Sequence, residues 1–464
     1  MLDYRVKIAL TPCRRWLPGK RTGIFNPEYA LANKKKAIAY IREHFASDQV
    51  EFTDLDFLNE EGLMYDVRQA RAIADRFIEE KVDAVFIINC NYGNEEVAGK
   101  VAQLVGKPVL LWAPRDTIYE PDGTRYTDAQ CGHFPISKQL QRYGLPFSHI
   151  ENCNIEDEVF SRDFEKFLSV VCMIKNFKGL RIAQVGTRPK PFNCVMCNES
   201  ELMERFGIEI VPVNMALSIQ LFNDVMKKYS AELPEVVADI RAKFDLGGLD
   251  DETLTRVAAF KFFYRELLAE YDCRVVSTEC WTAMMAAVNA MPCTAMSLLG
   301  DESIIVTCES DIMGAVSMSL LSCATRGKSH PFFGEFTARH PSDDNTELVW
   351  HCGPFPYSLR KPDGPQPRLV NARPSFIVRD GHYTIARLDS IAGKYSLLAG
   401  GFDAAEGPHT FGTYVWARFN DLPKWEKRLI DGPYIHHMAE IEGDVVPMLR
   451  EFLRYYPDII LDEP

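Results

Sequence analysis

The first 175 residues alternate between two periodicities of apolar and polar positions. Short, continuous apolar runs at residues 5–10, 84–88 and 108–112 are typical of strands buried on both faces of a parallel sheet. Between these runs, residues 28–46 and 67–80 carry apolar side chains at helical spacing. This alternation predicts one doubly wound α/β domain over residues 1–175.

The same alternation starts again at residue 178 and continues to about residue 330. Residues 178–186, 208–213 and 274–277 read as strands, and a long helix begins after Asp250, an N-cap residue. A last apolar strand at residues 304–306 leads directly into a helix. We predict a second doubly wound α/β domain over residues 176–330.

Residues 331–464 have a different pattern, with short alternating segments and turn residues. Residues 375–386 are predicted to form a hairpin with its turn at Asp380-Gly381. Residues 395–402 and 412–418 also read as strands, and residues 444–455 as a closing helix. The predicted fold class is therefore α/β, with two parallel-sheet domains followed by a β-rich C-terminal domain.

Composition and charge exclude several classes of function. The 464 residues carry 52 basic and 65 acidic side chains, a net charge of −13, which disfavours nucleic-acid partners and anionic membrane surfaces. The sequence has no apolar run of about 18 residues, the length that a membrane span needs. The first residues are charged where a signal peptide would be apolar, and the 13 cysteines are typical of reduced thiols. We expect a cytoplasmic protein.

Two carboxylates, Glu309 and Asp311, stand between the strand at 304–306 and the helix that follows it. Acids at the carboxyl end of a strand lie where α/β proteins usually place their chemistry. Asp311 also fits a purely structural role as a helix N-cap. Two like charges in one place need a cation or a shared proton, however, and a metal is the simplest answer.

Two further positions suit the same site. Glu279 follows the strand at 274–277, and His436-His437 lie in a late Gly-Pro-Tyr-Ile-His-His segment. Adjacent strand residues point to opposite faces, so at most one of the two histidines is expected at a given site. Two carboxylates and one imidazole suit a divalent cation such as Mn²⁺ that keeps open positions for substrate oxygens.

Three motifs resemble the L-fucose isomerase family: Cys-Glu-Ser-Asp-Ile-Met-Gly-Ala at 308–315, Tyr-Ile-His-His-Met-Ala at 434–439 and Val-Gly-Thr-Arg-Pro at 185–189. The resemblance runs over most of the chain. It implies three domains in the order predicted above, Mn²⁺ held by a Glu, an Asp and a His, and a homo-hexamer whose active sites are completed by a neighbouring subunit.

The resemblance also assigns residues. Asp311 and His437 match the metal-binding Asp and His, and Glu279 matches the other metal-binding acid, with Glu309 as the alternative. The spacing from Glu279 to Asp311 is longer than is typical of the family, and His436 stands where an amide side chain is usual.

The implied reaction interconverts an aldose and a ketose by moving a proton between C1 and C2. A metal bound to both oxygens acidifies that proton, and Glu279 and Asp311 are the predicted acid/base residues. The remaining predicted substrate contacts are Arg14, His436, Glu309 and Trp416.

The sequence leaves the substrate and two other functions open. The sugar is a fucose-like 6-deoxy sugar, a pentose, or a C6-modified or sulfonated hexose such as sulfoquinovose. The alternatives are a non-catalytic sugar-binding protein and a metal-dependent epimerase or lyase on the same fold. A single Cys-x-x-Cys at 194–197 is weak evidence for metal or redox work and is interpreted as incidental thiols.

Overall fold

The computed structural model describes residues 1–17 and 23–464, and the chain forms two compact units. The N-terminal unit comprises Tyr4–Lys175 together with Glu451–Tyr456. The C-terminal unit comprises Met1–Asp3, Asn176–Arg450 and Pro457–Pro464. The predicted domain boundary at residue 175 stays a prediction.

The N-terminal unit is built on a five-stranded parallel sheet with strand order β2-β1-β3-β4-β5. Strands β3 and β4 are buried along their whole length, because helices cover both faces of the sheet, as the continuous apolar runs predict. Its elements are β1 (Val6–Cys13), α1 (Pro27–Phe45), β2 (Val50–Thr53), α2 (Ala70–Glu79), β3 (Ala84–Asn89), α3 (Glu95–Val105), β4 (Val109–Trp112), α4 (Ala129–Arg142), β5 (Phe147–His149) and α5 (Glu158–Phe177).

The C-terminal unit begins with a four-stranded parallel sheet of order β7-β6-β8-β9. Parallel strands joined by helices are what the alternating pattern predicts for this segment. The elements are β6 (Arg181–Val185), α6 (Glu199–Phe206), β7 (Glu209–Val213), α7 (Met215–Lys228), α8 (Leu233–Lys243), α9 (Asp251–Glu270), β8 (Val275–Thr278), α10 (Ala283–Val288), α11 (Cys293–Gly300), β9 (Val306–Cys308) and α12 (Ile312–Ala324).

Helix α12 is the central element of this unit. All of its residues are buried, and it contacts strands of both sheets in the unit. A helix that is apolar on every side is stable only where protein surrounds it.

The helices among the described residues are each too short or too polar to span a bilayer.

The rest of the C-terminal unit is a nine-stranded mixed sheet of order β12-β13-β16-β11-β10-β17-β14-β15-β18. Most neighbouring strands in it are antiparallel, so the predicted β-rich character is confirmed. The elements are β10 (Phe332–His340), β11 (Asp343–His351), β12 (Arg368–Val370), β13 (Arg373–Ile377), β14 (His382–Ile391), β15 (Lys394–Ala405), β16 (Thr413–Arg418), α13 (Leu422–Asp431), β17 (His437–Glu442), α14 (Val446–Phe452) and β18 (Ile459–Asp462).

The predicted hairpin at residues 375–386 is wrong. Strand β13 pairs with β12 and, in parallel, with β16, whereas β14 pairs with β15 and β17. Asp380-Gly381 does turn the chain, but the strands on its two sides pair elsewhere. The mixed α/β fold is confirmed, and the division of residues 176–464 into two separate domains stays a prediction.

Candidate active site

The turn between β9 and α12 carries the two acids that the sequence singles out. The strand ends at Cys308, and Glu309 and Ser310 both have left-handed backbone angles, with φ of 64° and 54°. Asp311 is the N-cap of α12, since its Oδ1 accepts a hydrogen bond from Gly314 N at 2.8 Å. The cap is confirmed, and the two carboxylates leave a tight turn rather than one face of an extended strand.

Gly314 lets this turn approach the nine-stranded sheet. A Cβ atom added to Gly314 would lie 2.4 Å from Cε2 of Phe333 on β10, which is closer than atoms can pack. The missing side chain therefore allows the first turn of α12 to pack directly against the Phe333 ring.

Asp311 is completely buried and is held by Arg387 of β14. Arg387 Nη1 and Nη2 donate to Asp311 Oδ2 and Oδ1 at 2.8 and 3.3 Å, and Nε donates to Asp389 at 2.7 Å. Burial alone would raise the pKa of Asp311, but the Arg387 guanidinium and His437 outweigh it and hold that pKa well below its ordinary value. Both carboxylate oxygens of Asp311 therefore already have hydrogen-bond partners.

His437, the first residue of β17, lies between the two acids of the turn. Its Nδ1 is 3.0 Å from Asp311 Oδ2, and its Nε2 is 3.1 Å from Glu309 Oε2. The ring is fully buried. Burial lowers the pKa of His437, but the Asp311 and Glu309 carboxylates at its two ring nitrogens outweigh burial and raise that pKa. The two carboxylates thus favour a positive charge beside this ring, as a proton or as a bound cation.

Glu335 of β10 is the functional residue that the sequence analysis missed. It stands directly opposite His437 in the antiparallel pairing of β10 and β17. Its Oε2 lies 3.8 Å from His437 Nε2 and 3.6 Å from His436 Nε2, and burial raises the pKa of this carboxyl. An acid between Gly334 and Phe336 in a strand gives no local sequence signal, because only the cross-strand register brings it to the site.

The two histidines do not separate as expected. Their ring centroids are 4.3 Å apart, and both rings reach Glu335, because His436 precedes the strand instead of alternating within it. His436 is partly exposed, and burial and the neighbouring His437 lower its pKa to about 4. The expectation that only one imidazole reaches the site is wrong.

Glu279 lies at the end of β8, as predicted, with both carboxylate oxygens engaged. Oε2 accepts from Thr187 N at 3.1 Å, and Oε1 accepts from the Thr282 hydroxyl and from Ala283 N. The register pairs Thr278 with Cys308, so Glu279 and Glu309 leave neighbouring strand ends. The structure thus places Glu279 beside the turn that carries Glu309.

Aromatic rings cover one side of His437. Phe333 meets it edge to face at 5.1 Å between centroids, and Phe192 lies 6.1 Å away and touches Trp281 at 5.8 Å. Within the described residues, the buried Trp281 Nε1 has no hydrogen-bond partner. This wall offers an apolar face with one N–H donor, features that suit the ring of a sugar.

Two predicted substrate contacts lie elsewhere. Arg14 belongs to the N-terminal unit, where its Nε donates to Glu61 at 2.7 Å and its guanidinium stacks on Tyr65 at 4.0 Å. Trp416 packs in a hydrophobic cluster with Leu348 and Tyr414, and its indole N–H is donated to Pro408 O at 2.9 Å. Their roles in sugar binding stay predictions.

The donor set on the Nε2 side of His437 fits a divalent cation. Among the described residues, His437 Nε2 and Glu309 Oε2 are buried and lack a hydrogen-bond partner despite their proximity. The opposite ring nitrogen faces a carboxylate, which is the arrangement that orients metal-binding histidines. The ligand atoms of Glu335, His436 and His437 lie within 4.8 Å of one another, and Glu309 Oε2 adds a second carboxylate 3.1 Å from His437 Nε2.

Comparison with known proteins supports the family suggested by the motifs. The model of the fucose/sulfoquinovose isomerase N-terminal domain matches residues 17–178. A sulfoquinovose isomerase from Alkalicoccus urumqiensis is 27% identical over 383 residues, covering 81% of this chain and 84% of that protein. The family model and this relative support assignment of the chain to the fucose isomerase-like family. A second member, the sulfoquinovose isomerase of Priestia aryabhattai, is 25% identical over 408 residues, covering 85% of this chain and 88% of that protein.

These similarities confirm the predicted enzyme class, an aldose–ketose isomerase. Among solved structures, a periplasmic solute-binding protein from Actinobacillus succinogenes 130z with bound D-allose matches at 13% identity, covering 69% of this chain and 92% of that chain. Its TM-score is 0.16, which is too low to indicate a common fold.

Proposed function

We propose that this isomerase converts sulfoquinovose, a hexose with a sulfonate at C6, into the corresponding ketose. The observation that supports the reaction is the buried His437, whose free nitrogen faces the carboxylate of Glu309 and lies near that of Glu335. The names of the relatives support the substrate. Fucose-like sugars and pentoses are the other substrates that the motifs leave open.

We propose Mn²⁺ as the cofactor, held by His437 Nε2, Glu309 and Glu335. A divalent cation at this set would polarise the oxygens on C1 and C2 and so lower the pKa of the carbon-bound proton. Hard carboxylate oxygens with one imidazole suit Mn²⁺, and other divalent cations fit the same donors.

This ligand set differs from the one matched by resemblance. Asp311 contacts the Nδ1 side of the ring and is bound twice by Arg387, so it faces away from the Nε2 side. We therefore propose Asp311 as a positioning residue. It fixes the tautomer of His437 with the proton on Nδ1 and leaves the Nε2 lone pair free.

Glu279 is the proposed acid/base that moves the proton between C1 and C2. Backbone N–H groups of Thr187 and Ala283 hold its carboxylate in place, and a positioned carboxylate is a common general base. The same hydrogen bonds fix the orientation of the Glu279 carboxylate. A base that moves a proton between two adjacent carbons needs a fixed orientation.

The rest of the proposal concerns the setting of the enzyme. We propose a cytoplasmic homo-oligomer in which Arg14 contacts the substrate of a neighbouring subunit. All thirteen cysteines of the described chain are free thiols, which is consistent with a reducing compartment.

The test is a substrate screen in the presence of Mn²⁺. Purified protein is offered sulfoquinovose, glucose, L-fucose and L-arabinose, and ketose formation is measured. Sulfoquinovose should be converted at least tenfold more efficiently than glucose, because a sulfonate contact is charge-assisted. Preferred turnover of fucose or arabinose would refute the substrate but not the reaction.

Solvent deuterium separates the isomerase from the competing functions. An isomerase incorporates deuterium at C2 of the aldose and keeps the carbon chain, whereas a lyase yields two fragments and a binding protein gives no exchange. Glu279→Gln, which keeps the shape but removes the base, should lower exchange by roughly 10²–10⁴-fold. Unchanged exchange in Glu279→Gln would exclude Glu279 as the base.

A further inference from the structure

A second cluster of metal-binding side chains lies in the C-terminal unit, next to the site described above. It contains Cys308, the last residue of β9, together with His351 and Cys352 at the end of β11. The two Sγ atoms and one ring nitrogen of His351 lie within 4.8 Å of one another. Both Cys308 and His351 are buried.

A third thiol extends this cluster. Cys293, the first residue of α11, is fully buried and places its Sγ 3.7 Å from the Sγ of Cys352. Zinc–sulfur bonds of about 2.3 Å in a tetrahedron put neighbouring sulfur atoms about 3.8 Å apart. The sulfur–sulfur distance therefore matches two thiolates on one tetrahedral ion.

The histidine of the cluster supplies an independent observation. His351 Nδ1 lies 3.3 Å from Cys352 Sγ and accepts from Cys352 N, while the buried Nε2 has no hydrogen-bond partner among the described residues. A buried polar atom without a partner costs free energy unless something binds it. The nitrogen beside the thiols is Nδ1, so a cation at the cluster would take the place of the Cys352 N–H at that atom.

We propose that Cys308, Cys352 and His351 bind one Zn²⁺ ion, with Cys293, whose Sγ is 3.7 Å from that of Cys352, as the fourth ligand after a small side-chain movement. Three thiolates and one imidazole are a donor set typical of structural zinc sites, and thiolate ligands select zinc over Mn²⁺. The site differs in chemistry from the carboxylate set around His437, so thiolate coordination distinguishes metal bound at one site from metal bound at the other. The proposal does not depend on which sugar the enzyme uses.

The position of this site gives it a structural consequence. The ion would join α11, β9 and the end of β11, three elements that are far apart in sequence. Cys308 immediately precedes Glu309, whose backbone is left-handed, so the zinc would anchor the strand end from which Glu309 reaches His437. Binding energy that appears only in the folded protein adds to its stability.

Metal analysis of the full-length protein tests the proposal. Protein produced with added zinc and purified under reducing conditions without chelator should contain about one Zn²⁺ per chain. Cys308→Ser and Cys352→Ser should each lose most of it, since serine does not replace a thiolate ligand. Matched controls are Cys194→Ser and Cys197→Ser, which alter two partly accessible thiols outside the cluster and should keep the zinc.

Cobalt substitution keeps the test decisive if a serine variant fails to fold. Wild-type protein loaded with Co²⁺ should show thiolate-to-cobalt charge-transfer absorption and the visible bands of tetrahedral coordination. His437→Ala should keep these bands, because that residue belongs to the other site. Wild-type protein that takes up no zinc after reduction and reconstitution, or zinc that is lost equally in Cys194→Ser, would overturn the proposal.

Discussion

Asp311 illustrates how much of the role of one residue can be predicted from sequence. The sequence correctly predicts an N-cap beside a site of chemistry, and resemblance adds a ligand role. In the structure the same carboxylate caps α12, pairs with Arg387 and faces His437 Nδ1. The partner Arg387 lies 76 residues away, and no local pattern could have revealed it.

Asp311→Asn separates the positioning role from a purely structural one. Asparagine is nearly as good an N-cap, so α12 should still form and the fold should survive. Asparagine no longer holds His437 by a charged hydrogen bond, so affinity for Mn²⁺ should fall about 10–100-fold. Calorimetric titration of the metal-free protein with Mn²⁺ measures this change.

Asp389→Asn is the matched control for that experiment. Asp389 pairs with the same guanidinium, through Arg387 Nε at 2.7 Å, but the structure gives it no contact with His437 among the described residues. Its loss should therefore cost stability and leave Mn²⁺ affinity nearly unchanged. Equal losses of affinity in both variants would show that Asp311 acts only through Arg387.

The positions of the strands were predicted better than the pairing between them. The parallel strands of both α/β sheets follow from continuous apolar runs, and the strand ends at Thr278 and Cys308 lie within two residues of those predicted. The hairpin failed because Asp-Gly marks a turn but does not determine which strands pair. Glu335 was missed for the same physical reason, since its register with β17 is set by non-local contacts.

Strand β11 offers a prediction about pH. Burial raises the pKa of Glu347 to about 7, and the nearby Arg339 only partly compensates. The folded state therefore holds this proton more tightly than the unfolded chain does, and stability should fall as pH rises from about 4.5 to 7 through this group. Glu347→Gln removes the effect.

Thermal unfolding measured across pH checks the Glu347 prediction. The melting temperature of Glu347→Gln relative to wild type should increase from pH 5 to pH 8, because only the wild type has to ionise a buried carboxyl. Asp344→Asn on the same strand is a suitable control, since Asp344 is exposed. A difference between variant and wild type that does not change with pH would contradict the assigned burial effect.

The two parallel sheets and the nine-stranded sheet differ in how much of each could be predicted from the sequence. The parallel sheet of the N-terminal unit and that of the C-terminal unit could be predicted from periodicity, because strands β3, β4, β8 and β9 are buried along their whole length. The order of the nine-stranded sheet could not, since β17 lies between β10 and β14, which are distant in sequence. The residues that meet at His437 therefore come from both sheets of one unit.

Arg14 belongs to the other unit, and this separation motivates the last prediction. If the enzyme is a homo-oligomer with shared active sites, Arg14 acts on the substrate held by the His437 of a neighbouring subunit. Arg14→Ala and His437→Ala should then each be nearly inactive alone. After mixed refolding or co-expression, about a quarter of the sites would combine two intact contributions, and activity should return to that level.

The complementation result depends on geometry and not on overall stability. If Arg14 serves the site of its own chain, every site in a mixed oligomer carries one defect, and mixing restores nothing. Arg14→Lys is a useful further variant, because it keeps the charge but loses the planar guanidinium that stacks on Tyr65. Recovery of activity in the mixture of Arg14→Ala and His437→Ala, with none in either parent, would place Arg14 across a subunit boundary. Absence of recovery in an oligomer shown by mass to contain both chains would place it within one chain.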